Sequence, residues 1–104
     1  MGASYAREKL NNAVYSLATG TETIQRRLVD AMIAMSAVSD RDFEGERLEQ
    51  WQSIFQRASA TETGPYDGSY QNTLFPMNDD DAVQLARDIC ELNAMMDLDA
   101  EFEA

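Results

Sequence analysis

The sequence predicts an all-α fold, a small helical bundle of four main helices plus a short helical turn. Three observations lead there. Apolar residues recur at spacings of three and four in four separate stretches. Polar breaks rich in Gly, Pro, Asp and Ser divide those stretches. Outside the acidic tail, nothing alternates apolar and polar residues with the two-residue period of a strand.

The most apolar stretch is residues 28–38, in which only Asp30 and Ser36 are polar. Leu28, Ala31, Met32 and Met35 share one helical face, and Val29, Ile33, Ala37 and Val38 fill much of the other. A helix apolar nearly all round is a buried one, so this is read as the central helix. It is too short to span a bilayer, which needs ~20 apolar residues.

In chain order, the first helix is expected from about Tyr5 to Ala18, capped by Ser4. Its apolar stripe is Ala6, Leu10, Ala13, Val14 and Leu17. Gly20 ends it as a residue free to take positive φ. Thr21 or Thr23 then caps a second helix running to about Val38, antiparallel to the first. Ser39-Asp40-Arg41-Asp42 breaks the chain before a third helix from Phe43 or Glu44 to Ala58. Trp51 and Phe55 lie one turn apart there and are expected to bury the most surface. Gly45 weakens its first turn by up to ~1 kcal/mol relative to Ala.

Residues 59–70 form the one long loop, with turn signals at Gly64-Pro65 and Asp67-Gly68. A short helical turn follows over Gln71–Leu74, ended by Phe75-Pro76. The last helix starts after Asn78, and Asp79, Asp80 and Asp81 complement its dipole. Ala82, Leu85, Ala86, Ile89, Leu92, Met95 and Met96 make its stripe. Residues 97–104 alternate acid with apolar, a tail that either continues the helix or stays flexible until a partner binds. Packing Leu28, Met32 and Met35 against Leu10, Val14, Leu17, Trp51, Phe55, Leu85 and Ile89 gives one core.

At 104 residues, 44% of them hydrophobic, the chain is expected to form a single domain over 1–104. Eight Lys and Arg against nineteen Asp and Glu give a net charge of −11. Such a chain repels nucleic acid and anionic membranes, and its natural partner is another protein with a basic surface. The single Cys90 excludes an intramolecular disulfide and suits a reducing compartment. The opening Met-Gly-Ala-Ser-Tyr-Ala has no basic-then-apolar signal pattern. Ala6 stands where a myristoylation motif wants Ser or Thr. The expected location is cytoplasmic.

The chemistry on offer is narrow. There is no histidine, which removes the commonest general base and the His-dependent nucleophile and zinc arrangements. Cys90, between Ile89 and Leu92, reads as an inert core residue. Asp30 has Arg26 and Arg27 one turn earlier and reads as their ion-pair partner rather than as a base. Asp40, Asp42, Glu44 and Gly45 match the first half of a calcium-binding loop. The match fails at Trp51, where a bidentate Glu should close the site. No catalytic residue, metal site or cofactor is therefore expected, and the chain is not read as an enzyme.

Charge is the feature that remains. Residues 1–35 carry a net +1, whereas residues 36–104 carry −12. The expected docking face is acidic, made of Asp80, Asp88, Asp97, Asp99, Glu101 and Glu103. The loop Gly64–Tyr70 competes with it, because Tyr66 and Tyr70 are potential contact anchors or covers for the bundle end. The function expected is a non-enzymatic acidic protein-binding module, an inhibitor or accessory factor of a nucleic-acid-handling bacterial protein. The alternative is a structural or regulatory subunit that self-associates, for instance as a homodimer.

Arg7-Glu8-Lys9-Leu10, Leu17-Ala18-Thr19-Gly20-Thr21 and Arg27-Leu28-Val29-Asp30-Ala31, with an echo at Met77-Asn78-Asp79, resemble a group of small uncharacterised bacterial helical proteins. That resemblance covers about the first third of the chain. It implies an all-helical fold and a bacterial or mobile-element setting. In size and acidity alone the chain is also similar to phage-encoded inhibitors of bacterial defence systems, which implies an anti-defence role.

Overall fold

In the computed structural model, which describes residues 2–103 and side chains as far as Phe102, the chain forms five α-helices and no strand among the described residues. They are α1 (Gly2–Thr19), α2 (Ile24–Ala34), α3 (Gly45–Ala58), α4 (Ser69–Leu74) and α5 (Asp79–Glu103). A 3-10 turn, Asp40–Asp42, precedes α3. The bundle is elongated, 45 × 26 × 20 Å. None of the described helices is long and apolar enough to cross a membrane.

The first hairpin begins earlier than expected. α1 starts at Gly2, so Ser4 lies inside its first turn instead of capping it. Ala6, Leu10, Ala13 and Leu17 form its buried stripe, and Val14 is half-buried. Gly20 does not take positive φ. Its lack of a side chain serves a close approach instead: a Cβ there would lie 2.6 Å from Cγ of Arg27. Across this gap Arg27 donates to the carbonyls of Leu17 at 2.7 Å and Glu22 at 3.1 Å. One side chain thus ties the end of α1 to the entry of α2. Thr23 caps α2, accepting from the N–H of Arg26 at 3.2 Å.

α2 ends at Ala34, not Val38, and Met35–Ala37 form a turn. The turn keeps Met35 and Val38 buried but leaves Ala37 outside. Nor is the helix buried all round. Leu28, Val29, Ala31 and Met32 are covered, whereas Ile33 is exposed on the side it shares with Arg26 and Asp30. The neighbours α1, α4 and α5 close only part of the circumference.

The start of α3 is built by two local devices. Asp42 accepts from the N–H of Ser39 at 2.9 Å, closing a capping box around the 3-10 turn. Glu44 is extended and Gly45 has φ +55°, a left-handed step that turns the chain into α3. Gly45 is therefore required by the turn and is not merely a weak helix former. Phe43 then stacks on Trp51, 5.4 Å between ring centroids. Trp51, Ile54 and Ala58 face the core, but Phe55 remains 43% exposed. It falls beside the buried row, with Trp51 at 5.7 Å and the edge of Tyr70 at 6.5 Å covering only part of its ring.

α5 starts as expected. The N–H of Asp81 donates to Asn78 Oδ1 at 2.8 Å. Gln25 from α2 donates to the carbonyl of Met77 and to Asp79, both at 2.8 Å, and fixes where α5 begins. The helix continues to Glu103, so the alternating tail is its last two turns. Ala82, Leu85, Ile89, Leu92 and Met96 are buried along it. They join Leu10, Leu17, Leu28, Met32, Met35 and Trp51 in one core cluster.

Candidate protein-binding surface

Arginines from two helices decide which carboxylates of α5 are free. Arg7 on α1 donates through Nε and Nη2 to one oxygen of Asp97, at 3.1 and 3.0 Å. Arg47 on α3 donates to Asp99 at 3.0 Å, and its own side chain is only 15% exposed. Arg57, near the other end of α3, reaches Asp88 at 2.7 Å. These last two pairs fix α3 antiparallel to α5. Three members of the acidic face expected from sequence, Asp88, Asp97 and Asp99, are thus engaged within the chain. Asp80 and Glu101 are exposed, with no ion-pair partner among the described residues. The Glu103 side chain lies outside the described residues.

The two tyrosines part company. Tyr66 is partly exposed in its loop, edge-on to Phe75 at 4.9 Å. Tyr70 is half-buried on α4, where it covers part of Phe55, and burial pushes its phenol above the ordinary value. The loop is pinned by two buried residues that sequence reasoning did not single out. Asn72 accepts from the N–H of Tyr66 at 3.0 Å and donates to its carbonyl at 3.1 Å. Thr73 accepts from the N–H of Thr61 at 2.9 Å. The only sequence signal for either is a polar residue on a helix too short to spare one.

A groove of about 290 Å³ runs between α3 and α5. Glu49, Ser53, Ile54 and Glu91 line it, together with the Arg57–Asp88 pair. Neither Glu49 nor Glu91 has an ion-pair partner among the described residues. A second cavity, about 450 Å³, opens where the start of α1 meets the end of α5. Arg7 and Arg47 line it but are already committed to Asp97 and Asp99.

The other sequence candidates are resolved by their neighbours. Asp30 pairs with Arg26 at 3.5 Å, while Arg27 turns to backbone carbonyls instead. Asp40 accepts from Gln52 and Asp42 from Ser39, so both serve the entry to α3. No group of three or more His, Cys, Asp or Glu is placed to hold a metal ion among the described residues. Cys90 is exposed, not in the core. One residue on from Ile89 turns it ~100° away from the buried stripe. Desolvation by its surroundings still raises its thiol pKa, which disfavours the reactive thiolate. No protein-family model, curated protein or solved structure shows a significant match to the chain.

Proposed function

We propose that this protein is a non-enzymatic, acidic protein-binding module that docks on a basic surface of another protein. The observation that carries the reading is the α3/α5 groove, in which Glu49 and Glu91 have no ion-pair partner among the described residues and lie beside an arginine already held by Asp88. Such a groove attracts lysine and arginine side chains, and a net charge of −11 speeds their approach. The same charge opposes nucleic acid, whose phosphates need cations. Asp80 and Glu101 add outlying charge, whereas Asp88, Asp97 and Asp99 hold the bundle together. An inhibitor or accessory factor of a nucleic-acid-handling bacterial protein would use this surface to occupy a basic channel in place of phosphates.

A short oligo-lysine peptide, followed by fluorescence anisotropy against salt, tests the reading. Glu49→Gln combined with Glu91→Gln should weaken binding and flatten its salt dependence. The charge-matched control, Glu8→Gln with Glu62→Gln, should change little. Equal loss in both variants would reduce the attraction to net charge and remove the groove from the account.

A further inference from the structure

We infer that Arg57 is a built-in occupant of the α3/α5 groove, seated on Asp88 in the place of a partner's cation, and that a polybasic segment of the partner displaces it. The proposal rests on the reading of this groove as the site for a basic partner, and it adds how the site is regulated.

The groove already holds one guanidinium. Arg57 lines it and meets Oδ2 of Asp88 at 2.7 Å. Asp88 is steadied for that contact by its own helix, because Gln84, one turn earlier, donates to its other oxygen at 3.0 Å. Arg57 is steadied by its own helix too, with Nε donating to the carbonyl of Ser53 at 3.1 Å. The pair shows what the groove accepts: a long side chain along α3 with its cationic end on a carboxylate of α5.

The free acids of the groove lie to one side of this pair. Arg47 meets Asp99 and Arg57 meets Asp88, so numbers along α5 rise as numbers along α3 fall. Glu91 is about 4.5 Å beyond Asp88 along α5, and Glu49 is about 12 Å before Arg57 along α3. Both displacements run toward the Arg47–Asp99 pair. Neither acid has an ion-pair partner among the described residues. One carboxylate of the groove is therefore filled from within, and two wait for cations from outside.

Little is lost when Arg57 leaves. Its pair with Asp88 is half-exposed, and such pairs are weak. Arg47, whose pair with Asp99 is better buried, still holds α3 to α5. Arg57 is nevertheless tethered beside Asp88, which gives it an effective concentration that a free cation cannot match. A polybasic segment can match it, because its further cations on Glu91 and Glu49 tether it in turn. Arg57 thus works against single cations and yields to several, which is selection by an opposing element.

Fluorescence anisotropy of the full chain with a labelled oligo-lysine peptide tests the competition. Arg57→Gln should tighten binding about two- to fivefold beyond the charge-matched control, the span that a weak ion pair converts to. That control is Arg26→Gln, which makes the same charge change and frees Glu22 and Asp30 outside the groove. Adding Asp88→Asn to Arg57→Gln should remove the gain. Circular dichroism shows whether each variant keeps its helices. In nitrogen-15 NMR the Arg57 Nε–H signal, identified by its loss in Arg57→Gln, should move with oligo-lysine and stay in place with free lysine at the same lysine concentration. Equal gains in Arg57→Gln and Arg26→Gln, a gain that survives Asp88→Asn, or an Arg57 signal that oligo-lysine leaves unmoved would each overturn the proposal and leave the groove reading standing. Oligo-lysine that fails to bind, or that binds the Glu49→Gln/Glu91→Gln variant as tightly as the original chain, would overturn both.

Discussion

Arg47 on α3 reaches Asp99 on α5 at 3.0 Å with its stem largely covered, which makes it the better buried of the two α3 arginines that hold the last helix. Arg47→Ala loses a charged hydrogen bond and the packing of that stem, and should cost about 1–3 kcal/mol. Arg57→Ala, at the more exposed Arg57–Asp88 pair, should cost about 0.2–1 kcal/mol. Urea unfolding of the two variants measures the difference. Equal costs would mean that the α3/α5 contact does not depend on burial of the ion pair.

Salt should stabilise the fold. The ion pairs are mostly half-exposed and individually weak. A net charge of −11 repels itself, and ions screen that repulsion. The melting temperature should therefore rise between low and moderate salt. A fall would show that the arginine pairs outweigh the repulsion.

Leu28 is fully buried and Phe55 is not, which separates two residues that helical spacing treats alike. Leu28→Ala should cost about 2–5 kcal/mol. Phe55→Ala should cost less than Leu28→Ala despite removing the larger side chain. Chemical denaturation of both variants checks the ranking.

Asn72 should act as the latch of the loop over 59–68. Asn72→Ala leaves the N–H and carbonyl of Tyr66 without their side-chain partner and should cost about 1–3 kcal/mol. The loop should become the first site of proteolysis, and exchange of the Tyr66 amide hydrogen should accelerate. Unchanged exchange there would show that Thr73 alone holds the loop.

The alkaline limb of stability should carry a contribution from Tyr70. Burial raises its pKa above the ordinary 10.0, so the folded chain holds the phenolic proton more tightly than the unfolded chain. That stability is fully present below pH 10 and is lost as pH climbs through the raised value. Cys90 adds a loss of the same sign starting at its ordinary 9.0. In a Cys90→Ser background, Tyr70→Phe should flatten the fall in melting temperature above pH 10. An unchanged slope would place the loss elsewhere.

The helices were legible because burial of a helix face repeats with the helix period, and Ala82, Leu85, Ile89, Leu92 and Met96 keep that period. The Asn78 and Thr23 caps were legible because they act within one turn. What escaped depends on contacts between elements. Arg7 and Asp97 are 90 residues apart, so no local pattern reveals that three of the six proposed docking acids are already paired. Glu49 and Glu91 become one groove only when α3 lies against α5. Cys90 and Ile33 were misplaced for a related reason. An apolar neighbour in sequence is about 100° away around a helix, and only the packing decides which side is covered.

The contact between α1 and α5 also bears on how the chain is made. Arg7 is synthesised 90 residues before Asp97. The hairpin of α1 and α2 must wait on the order of ten seconds for α5, at ~5–20 residues per second. Until then Leu10, Leu28 and Met32 lack the helix that seals them, and the nascent hairpin is a client for whatever chaperone meets it first.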